Sequence, residues 1–217
     1  MADRKDTLLS FLRDTRLHEM TIELDQGVHR SIRFGRPGSS VYHFRLTTWA
    51  GHLAISGDMG TYVFARHHDM FTFFRPVAGK LEINPQYWHE KMQAGCKYGS
   101  AKTFSDECFK SAVKDMTDRW ETTLGEADDL RKEIADELLN GDCSNEHEAY
   151  ELLRDFSSRD GHEFTDVGDY DLTDWSHGFL WALYAIVWGI KKYDQLKDGR
   201  TQADHDRRVL AGDRADA

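Results

Sequence analysis

The sequence predicts an α+β fold, with an N-terminal antiparallel β-meander of about five strands packed on a C-terminal bundle of about five helices, one of them central and apolar. Residues 1–80 contain five short runs of alternating apolar and polar residues, with turn residues between them. Residues 81–196 repeat apolar residues at helical spacing instead. One long apolar run, residues 178–190, is shorter than the roughly 18 residues that cross a bilayer. It therefore predicts a core helix.

The β-rich part is predicted to follow a short amphipathic helix over residues 6–17, where Leu8, Leu9 and Leu12 recur at helical spacing. Strands are predicted over residues 20–25, 28–34, 40–49, 52–56 and 61–67. Gln26-Gly27 and Ala50-Gly51 supply turn residues between successive strands, which favours hairpins in sequence order.

Alternation along these strands separates two faces. A two-residue turn at Ala50-Gly51 places Trp49 opposite His52 and Leu46 opposite Ile55. The core face then collects Val28, Ile32, Phe34, Phe44, Leu46, Leu53, Ile55, Tyr62 and Phe64. The opposite face collects His29, Arg33, His43, Arg45, Trp49 and His52. This polar sheet face is predicted to be exposed or to bind a ligand, because arginines and imidazoles suit an anion or a partner protein.

Five helices are predicted after the sheet, over residues 84–92, from Ser105 onward, near residues 127–138 and 149–156, and over residues 175–193. Asn84 followed by Pro85 forms a helix start, as do Ser105 and the two acidic residues after it. Asp174 is predicted to cap the last helix.

The pattern predicts one domain over residues 1–196, with a β-rich part over 1–80 and a helical part over 81–196. Residues 197–217 carry charge without periodicity and predict a disordered tail.

Charge is distributed unevenly along the chain. The net charge is −10, yet residues 1–80 carry +3 and residues 81–217 carry −13. We therefore do not expect direct nucleic-acid binding, and a partner with a basic surface fits better. Candidate contacts on the acidic helices are Asp128, Asp129, Glu133, Asp136 and Glu137.

Three widely spaced cysteines without a CxxC pair, and an N-terminus that lacks a signal-peptide pattern, predict a cytoplasmic location. The sequence contains no GxSxG, P-loop, GxGxxG or HExxH motif, and no cofactor is expected.

A metal site is the alternative that would make the chain an enzyme. Its candidate ligands are His162, Asp166, Asp169, Asp171 and His177, as a divalent-metal hydrolase or nucleotide-processing enzyme would require. A further alternative is a module that sequesters a signalling nucleotide, with Arg33, Arg45 and Trp49 as anion and stacking contacts.

Three stretches resemble a family of uncharacterised accessory proteins of tailed bacteriophages and prophages. The first is residues 28–38. The second is residues 46–75, which include LTTWAGHLAISGDMGTYVFAR and DMFTFFR, together with INPQYWHEKM at residues 83–92. The third is FLWALYAIVWGIKKYD at residues 179–194. The resemblance implies a protein in the cytoplasm of the infected or lysogenic host that binds a host protein. Its partner would belong to a nucleic-acid-binding defence complex such as a CRISPR effector, which the chain would inhibit.

Overall fold

The computed structural model describes residues 4–76, 79–97, 99–120, 124–141 and 143–197. The chain folds into two compact units. The sheet unit comprises Ala2–Ala101 and Ser176–Ala217, and the helical unit comprises Lys102–Trp175. The α+β class is confirmed. The division differs from the predicted split at residue 80, because the last helix belongs with the sheet rather than with the other helices.

The sheet unit begins with helix α1 (Arg4–Thr15) and continues into a six-stranded antiparallel meander in the order β1 to β6. Its strands are β1 (Glu19–Gln26), β2 (His29–Gly35), β3 (Phe44–Trp49), β4 (His52–Gly57), β5 (Tyr62–Ala65) and β6 (Met92–Ala94). Helices α2 (Met70–Phe74) and α3 (Pro85–His89) lie between β5 and β6, and α7 (His177–Leu196) completes the unit.

The predicted hairpin register is confirmed. Trp49 pairs with His52, Leu46 with Ile55, and Ile55 with Tyr62. The predicted core residues from Ile32 to Phe64 are at most 2% exposed. They are buried because α7 packs on this face of the sheet, with the Trp188 ring 5.6 Å from that of Phe34.

Two predicted boundaries in this unit are wrong. The helix predicted over residues 84–92 ends at His89, and Met92–Ala94 pairs with β5 as a sixth strand. Ser176, not Asp174, caps α7, because its hydroxyl accepts from the amide of Phe179. Most of the tail predicted over residues 197–217 lies outside the described residues, and Lys197 is the last residue described.

The helical unit has its own hydrophobic core. Its elements are β7 (Lys102–Phe104), α4 (Asp106–Thr117), α5 (Leu124–Ile134), a π-helical turn (Ala135–Leu139), α6 (Glu146–Asp155), a 3-10 turn (Val167–Asp169) and β8 (Thr173–Trp175). Phe109, Val113, Leu138 and Leu153 are among its buried side chains. Asp174, the predicted cap of the last helix, lies in β8 opposite Thr103.

The two units differ in net charge. Lys102–Trp175 holds 22 Asp and Glu against 8 Lys and Arg, a formal charge of −14. The remainder of the chain carries +4. Among the described residues, no helix is both long enough and apolar enough to cross a membrane.

Candidate functional site

The polar sheet face assembles as predicted, but internal contacts occupy much of its charge. Arg33 lies opposite Arg45 across β2 and β3. Arg45 donates to both carboxylate oxygens of Glu23, at 2.5 and 3.0 Å. A bidentate pair of this kind neutralises the guanidinium that an anionic ligand would need.

The aromatic and imidazole groups of the same face also contact each other. The rings of Trp49 and His52 stack with centroids 4.9 Å apart at 8°. His43 lies just before β3, where its Nδ1 is 3.0 Å from a carboxylate oxygen of Asp58. His29 is exposed at the start of β2. The six predicted residues therefore share one surface without converging on one point.

A buried ion-pair network lies on the opposite side of the sheet, and the sequence analysis missed it. Arg30 donates two hydrogen bonds to Asp69, each at 2.9 Å, and its guanidinium lies 4.5 Å from the centre of the Phe71 ring. Tyr193 donates to Asp25 at 2.8 Å. The sequence does indicate a buried arginine here, because the alternation of β2 places Arg30 on the core face between Val28 and Ile32.

A second pair extends this network. Arg75 donates to both carboxylate oxygens of Asp194, at 2.7 and 3.0 Å, and Asp194 is only 2% exposed. Burial raises the pKa of Asp194 above its ordinary value, against the opposing effect of Arg75. Because these charges pair with one another inside the fold, we infer that the network stabilises the sheet unit.

The predicted acidic residues of the helical unit divide into two groups. Asp128, Asp129, Asp136 and Glu137 are exposed. The Glu133 side chain is only 14% exposed and accepts from Arg159 at 2.9 Å. That contact holds the loop after α6, and a role of Glu133 in partner binding stays a prediction.

An acidic groove runs between the π-helical turn and α6. Its rim carries the carboxylates of Glu137, Glu148, Glu151 and Asp155, and its floor is formed by Leu138, Leu152 and Phe156. The groove encloses about 490 Å³. The sequence analysis identified Glu137 but not the three α6 carboxylates, although Glu148, Glu151 and Asp155 recur at the 3–4-residue spacing of one helix face.

The rim carboxylates differ in how they are held. Glu148 accepts from the amide and hydroxyl of Ser144 at 3.0 and 2.8 Å, and these hydrogen bonds lower the pKa of Glu148. Glu151 lies 3.5 Å from Arg154 in an exposed pair. The Glu137 side chain has no hydrogen bond or ion pair with any residue that the structure describes. The rim therefore keeps an excess of negative charge over an apolar floor.

The π-helical turn shapes this groove. A π turn adds a residue to the helical turn and changes the direction of the following side chains, and such turns are rare and frequent at functional sites. Leu138, within this turn, is buried in the core of the unit at 2% exposure. Glu137, its neighbour in sequence, is left at the rim.

The five predicted metal ligands do not assemble. His162 stacks on Trp120 with ring centroids 5.0 Å apart, and Asp171 accepts from Lys102 and Thr173. His177 lies in α7, within the sheet unit, where its Nδ1 is 3.5 Å from the hydroxyl of Thr7. Within the described ranges, no group of three or more His, Cys, Asp or Glu side chains is placed to hold a metal ion.

Comparison with known proteins gives no relative: no protein-family description, curated protein or solved structure matches the chain.

Proposed function

We propose that this chain is a non-enzymatic binding protein whose acidic groove engages a Lys- or Arg-rich segment of a partner protein. The observation that carries the proposal is the groove itself, in which four carboxylates surround an apolar floor on a unit of charge −14. A segment that combines basic and aliphatic side chains is complementary to both features.

The two features would contribute differently to binding. The carboxylates would attract a basic partner over a distance of about 10 Å at moderate salt, which speeds encounter. Leu152, which is partly exposed at the floor, would contact an aliphatic side chain and slow dissociation, because burial of apolar surface is the main favourable term in association. The proposal therefore includes an association rate that falls as salt increases.

The sequence resemblance to bacteriophage and prophage proteins makes a bacterial host protein the first candidate partner. A nucleic-acid-binding defence protein is a natural target within that class, because such proteins carry basic surfaces that can bind in an acidic groove. On this proposal the chain would act in the host cytoplasm as an inhibitor that competes with nucleic acid.

Affinity capture from nuclease-treated bacterial lysate tests the proposal. The baits are the wild-type protein, a groove variant with Glu137→Gln, Glu151→Gln and Asp155→Asn, and a control with Asp115→Asn, Asp160→Asn and Glu163→Gln. The control removes the same charge from exposed positions elsewhere on the helical unit. Glu148 is left unchanged because it stabilises the start of α6: its amide donates to the Asn145 cap, and its carboxylate accepts from the amide of Ser144.

We expect the wild type and the control to capture the same protein in stoichiometric amount. We expect the groove variant to capture about one tenth of that amount or less. Equal capture by the groove variant would overturn the assignment of the groove. A wild-type bait that captures no protein from any host lysate would count against the function.

A further inference from the structure

Helix α1 packs on α7 by one narrow face. Phe11 is fully buried, with its ring 5.0 Å from that of Trp181 and 5.9 Å from that of Trp188. The other buried residues of α1 are Thr7 and Thr15, each four residues from Phe11 in sequence. A stripe of Thr, Phe and Thr therefore holds α1 against the sheet unit.

The opposite face of α1 carries two leucines. Leu9 is 58% exposed and Leu12 is 39% exposed, although their spacing predicted an amphipathic helix. Arg13 and Arg16 follow Leu9 at i+4 and i+7, so the four side chains lie on one side of the helix. We call these four residues the α1 face. The helix thus buries two threonines and exposes two leucines, the reverse of the usual preference.

The arginines make the α1 face basic. The Arg13 side chain is 74% exposed, and its Nε lies 3.5 Å from a carboxylate oxygen of Asp14. Arg16 is exposed, and its side chain makes no hydrogen bond or ion pair with any residue that the structure describes. Arginine is enriched in protein–protein interfaces, where its aliphatic stem and guanidinium contact different groups of the partner. The α1 face therefore has the composition of a protein-binding surface.

The acidic groove is complementary to this face. Its rim carries exposed carboxylates, and Leu152 is partly exposed at its floor. Grooves of this kind bind amphipathic helices through anchor residues at i, i+3, i+4 and i+7, which is the spacing of the α1 face. The units that carry the two surfaces also have opposite net charges, −14 for the helical unit and +4 for the remainder of the chain.

We propose that the α1 face binds in the acidic groove of a second copy of this chain. The inference rests on the function proposed for the groove, because it names a second occupant of the same site. The contact joins two different surfaces, so each copy can supply an α1 face to one neighbour and a groove to another. Self-association then competes with capture of a partner protein, since both use the groove.

An anionic bilayer is the other surface that a basic helix with exposed leucines can bind. The strength of such binding increases with the apolar area that enters the bilayer. Leu9 and Leu12 provide little area, whereas the groove offers carboxylates and apolar surface together. We therefore favour the groove as the binding site of the α1 face.

Sedimentation velocity of the full chain, over a protein concentration series at low and high salt, tests the self-association. We expect the weight-average sedimentation coefficient to increase with protein concentration at low salt. We expect a smaller increase at high salt, because salt screens the charges of both surfaces. A wild-type protein that stays monomeric throughout the low-salt series would overturn the proposal.

Paired variants test the two leucines. Leu9→Ala with Leu12→Ala is expected to weaken self-association about tenfold or more, because it removes both apolar anchors. Leu24→Ala with Leu196→Ala is the matched control, since these leucines are 40% and 60% exposed outside α1. Equal self-association of the α1 variant and the control would contradict the role of the α1 face.

A second pair of variants tests the charge. Arg13→Gln with Arg16→Gln is expected to weaken self-association about tenfold and to reduce its dependence on salt. Arg36→Gln with Arg66→Gln removes the same charge from exposed positions of the sheet unit and is expected to change neither. An effect of the same size in both variants would show that net charge, and not the α1 face, controls association.

Mixing two variants distinguishes this contact from a pairing of two α1 faces. The variant with Leu9→Ala and Leu12→Ala keeps its groove, and the groove variant with Glu137→Gln, Glu151→Gln and Asp155→Asn keeps its α1 face. We expect each to be monomeric alone at concentrations at which the wild type associates, and the mixture to form a heterodimer. A mixture that stays monomeric would overturn the proposal.

Flotation with phosphatidylcholine vesicles that contain phosphatidylserine tests the bilayer. We expect no more vesicle binding by the wild type than by the variant with Leu9→Ala and Leu12→Ala. Vesicle binding that this variant loses, in a protein that does not self-associate, would assign the α1 face to a membrane surface and overturn the proposal.

Capture of a host protein separates the failure of this inference from that of the proposed function. We expect the variant with Leu9→Ala and Leu12→Ala to capture as much host protein as the wild type or more, because the competing α1 face is weakened. Groove-dependent capture combined with a monomeric mixture would remove only the self-association. A heterodimer in the mixture without any captured host protein would remove only the proposed function.

Discussion

Arg30 and Asp69, 39 residues apart in sequence, form a bidentate ion pair with both hydrogen bonds at 2.9 Å. The Arg30 side chain is 10% exposed and that of Asp69 is 27% exposed. The pair joins strand β2 to the start of α2, because Asp69 also accepts from the amide of Phe71 as the cap of that helix. One carboxylate thus serves both an ion pair and a helix end.

Asp69→Asn isolates the ion pair, because asparagine can still cap α2. We expect the free energy of unfolding in urea to fall by about 2 to 3 kcal/mol, since the variant removes the bidentate partner of the buried Arg30 guanidinium and leaves only the Asp25 carboxylate, 4.0 Å from its Nε. Asp128→Asn is the control, because its pair with Arg131 is exposed at 81% and 78%. We expect it to cost less than about 0.5 kcal/mol, and a similar loss in both variants would contradict the role of Arg30.

Helix α7 packs closely against the sheet at Gly189. A Cβ atom there would lie 2.8 Å from Cδ1 of Leu46 and 3.1 Å from the ring of Phe34. We expect Gly189→Ala to lower the free energy of unfolding by about 1 to 2 kcal/mol, although alanine is the better helix former by about 1 kcal/mol. Gly168→Ala is the control, because no atom lies within 4 Å of its added Cβ. A stabilised Gly189→Ala variant would show that α7 does not pack closely at this point.

The pKa of Asp171 is lowered below 3.8 by hydrogen bonds from Lys102 and Thr173. The folded state therefore favours the carboxylate, which stabilises the protein above pH 3.8 and loses this effect as pH falls through the lower folded-state pKa. We expect Asp171→Asn to cost about 0.5 kcal/mol at pH 7, because solvent screens a side chain that is 57% exposed, and to cost progressively less below pH 3.8. Urea unfolding of both proteins over a pH series measures this difference, and a difference that grows towards low pH would contradict the assignment.

The sheet was predictable because its determinants are local. Side chains alternate with a period of two, and a two-residue turn sets the register, so Trp49 and His52 had to face each other. Strand β6 was missed because Met92–Ala94 has three residues, and its pairing with Val63 depends on the fold rather than on its own sequence. Strand β8 was missed for the same reason, because its pairing with β7 depends on the fold. Asp174 lies within β8 and therefore does not cap α7.

The candidate site was predictable only in its charge. Composition located the acidic segment, and Glu137 was identified on it. The groove could not be predicted, because it depends on the π-helical turn and on the position of α6 against it. The role of Glu133 depends likewise on Arg159, 26 residues later in the chain.

Hydrogen–deuterium exchange of the chain, alone and in complex with the host protein that it captures, tests the proposed function most directly. We expect slower exchange in Ala135–Leu139 and Glu146–Asp155, the segments that carry the acidic groove, and no change in β2 or β3. Protection confined to β2 and β3 would contradict it, and would transfer the binding site to the polar sheet face.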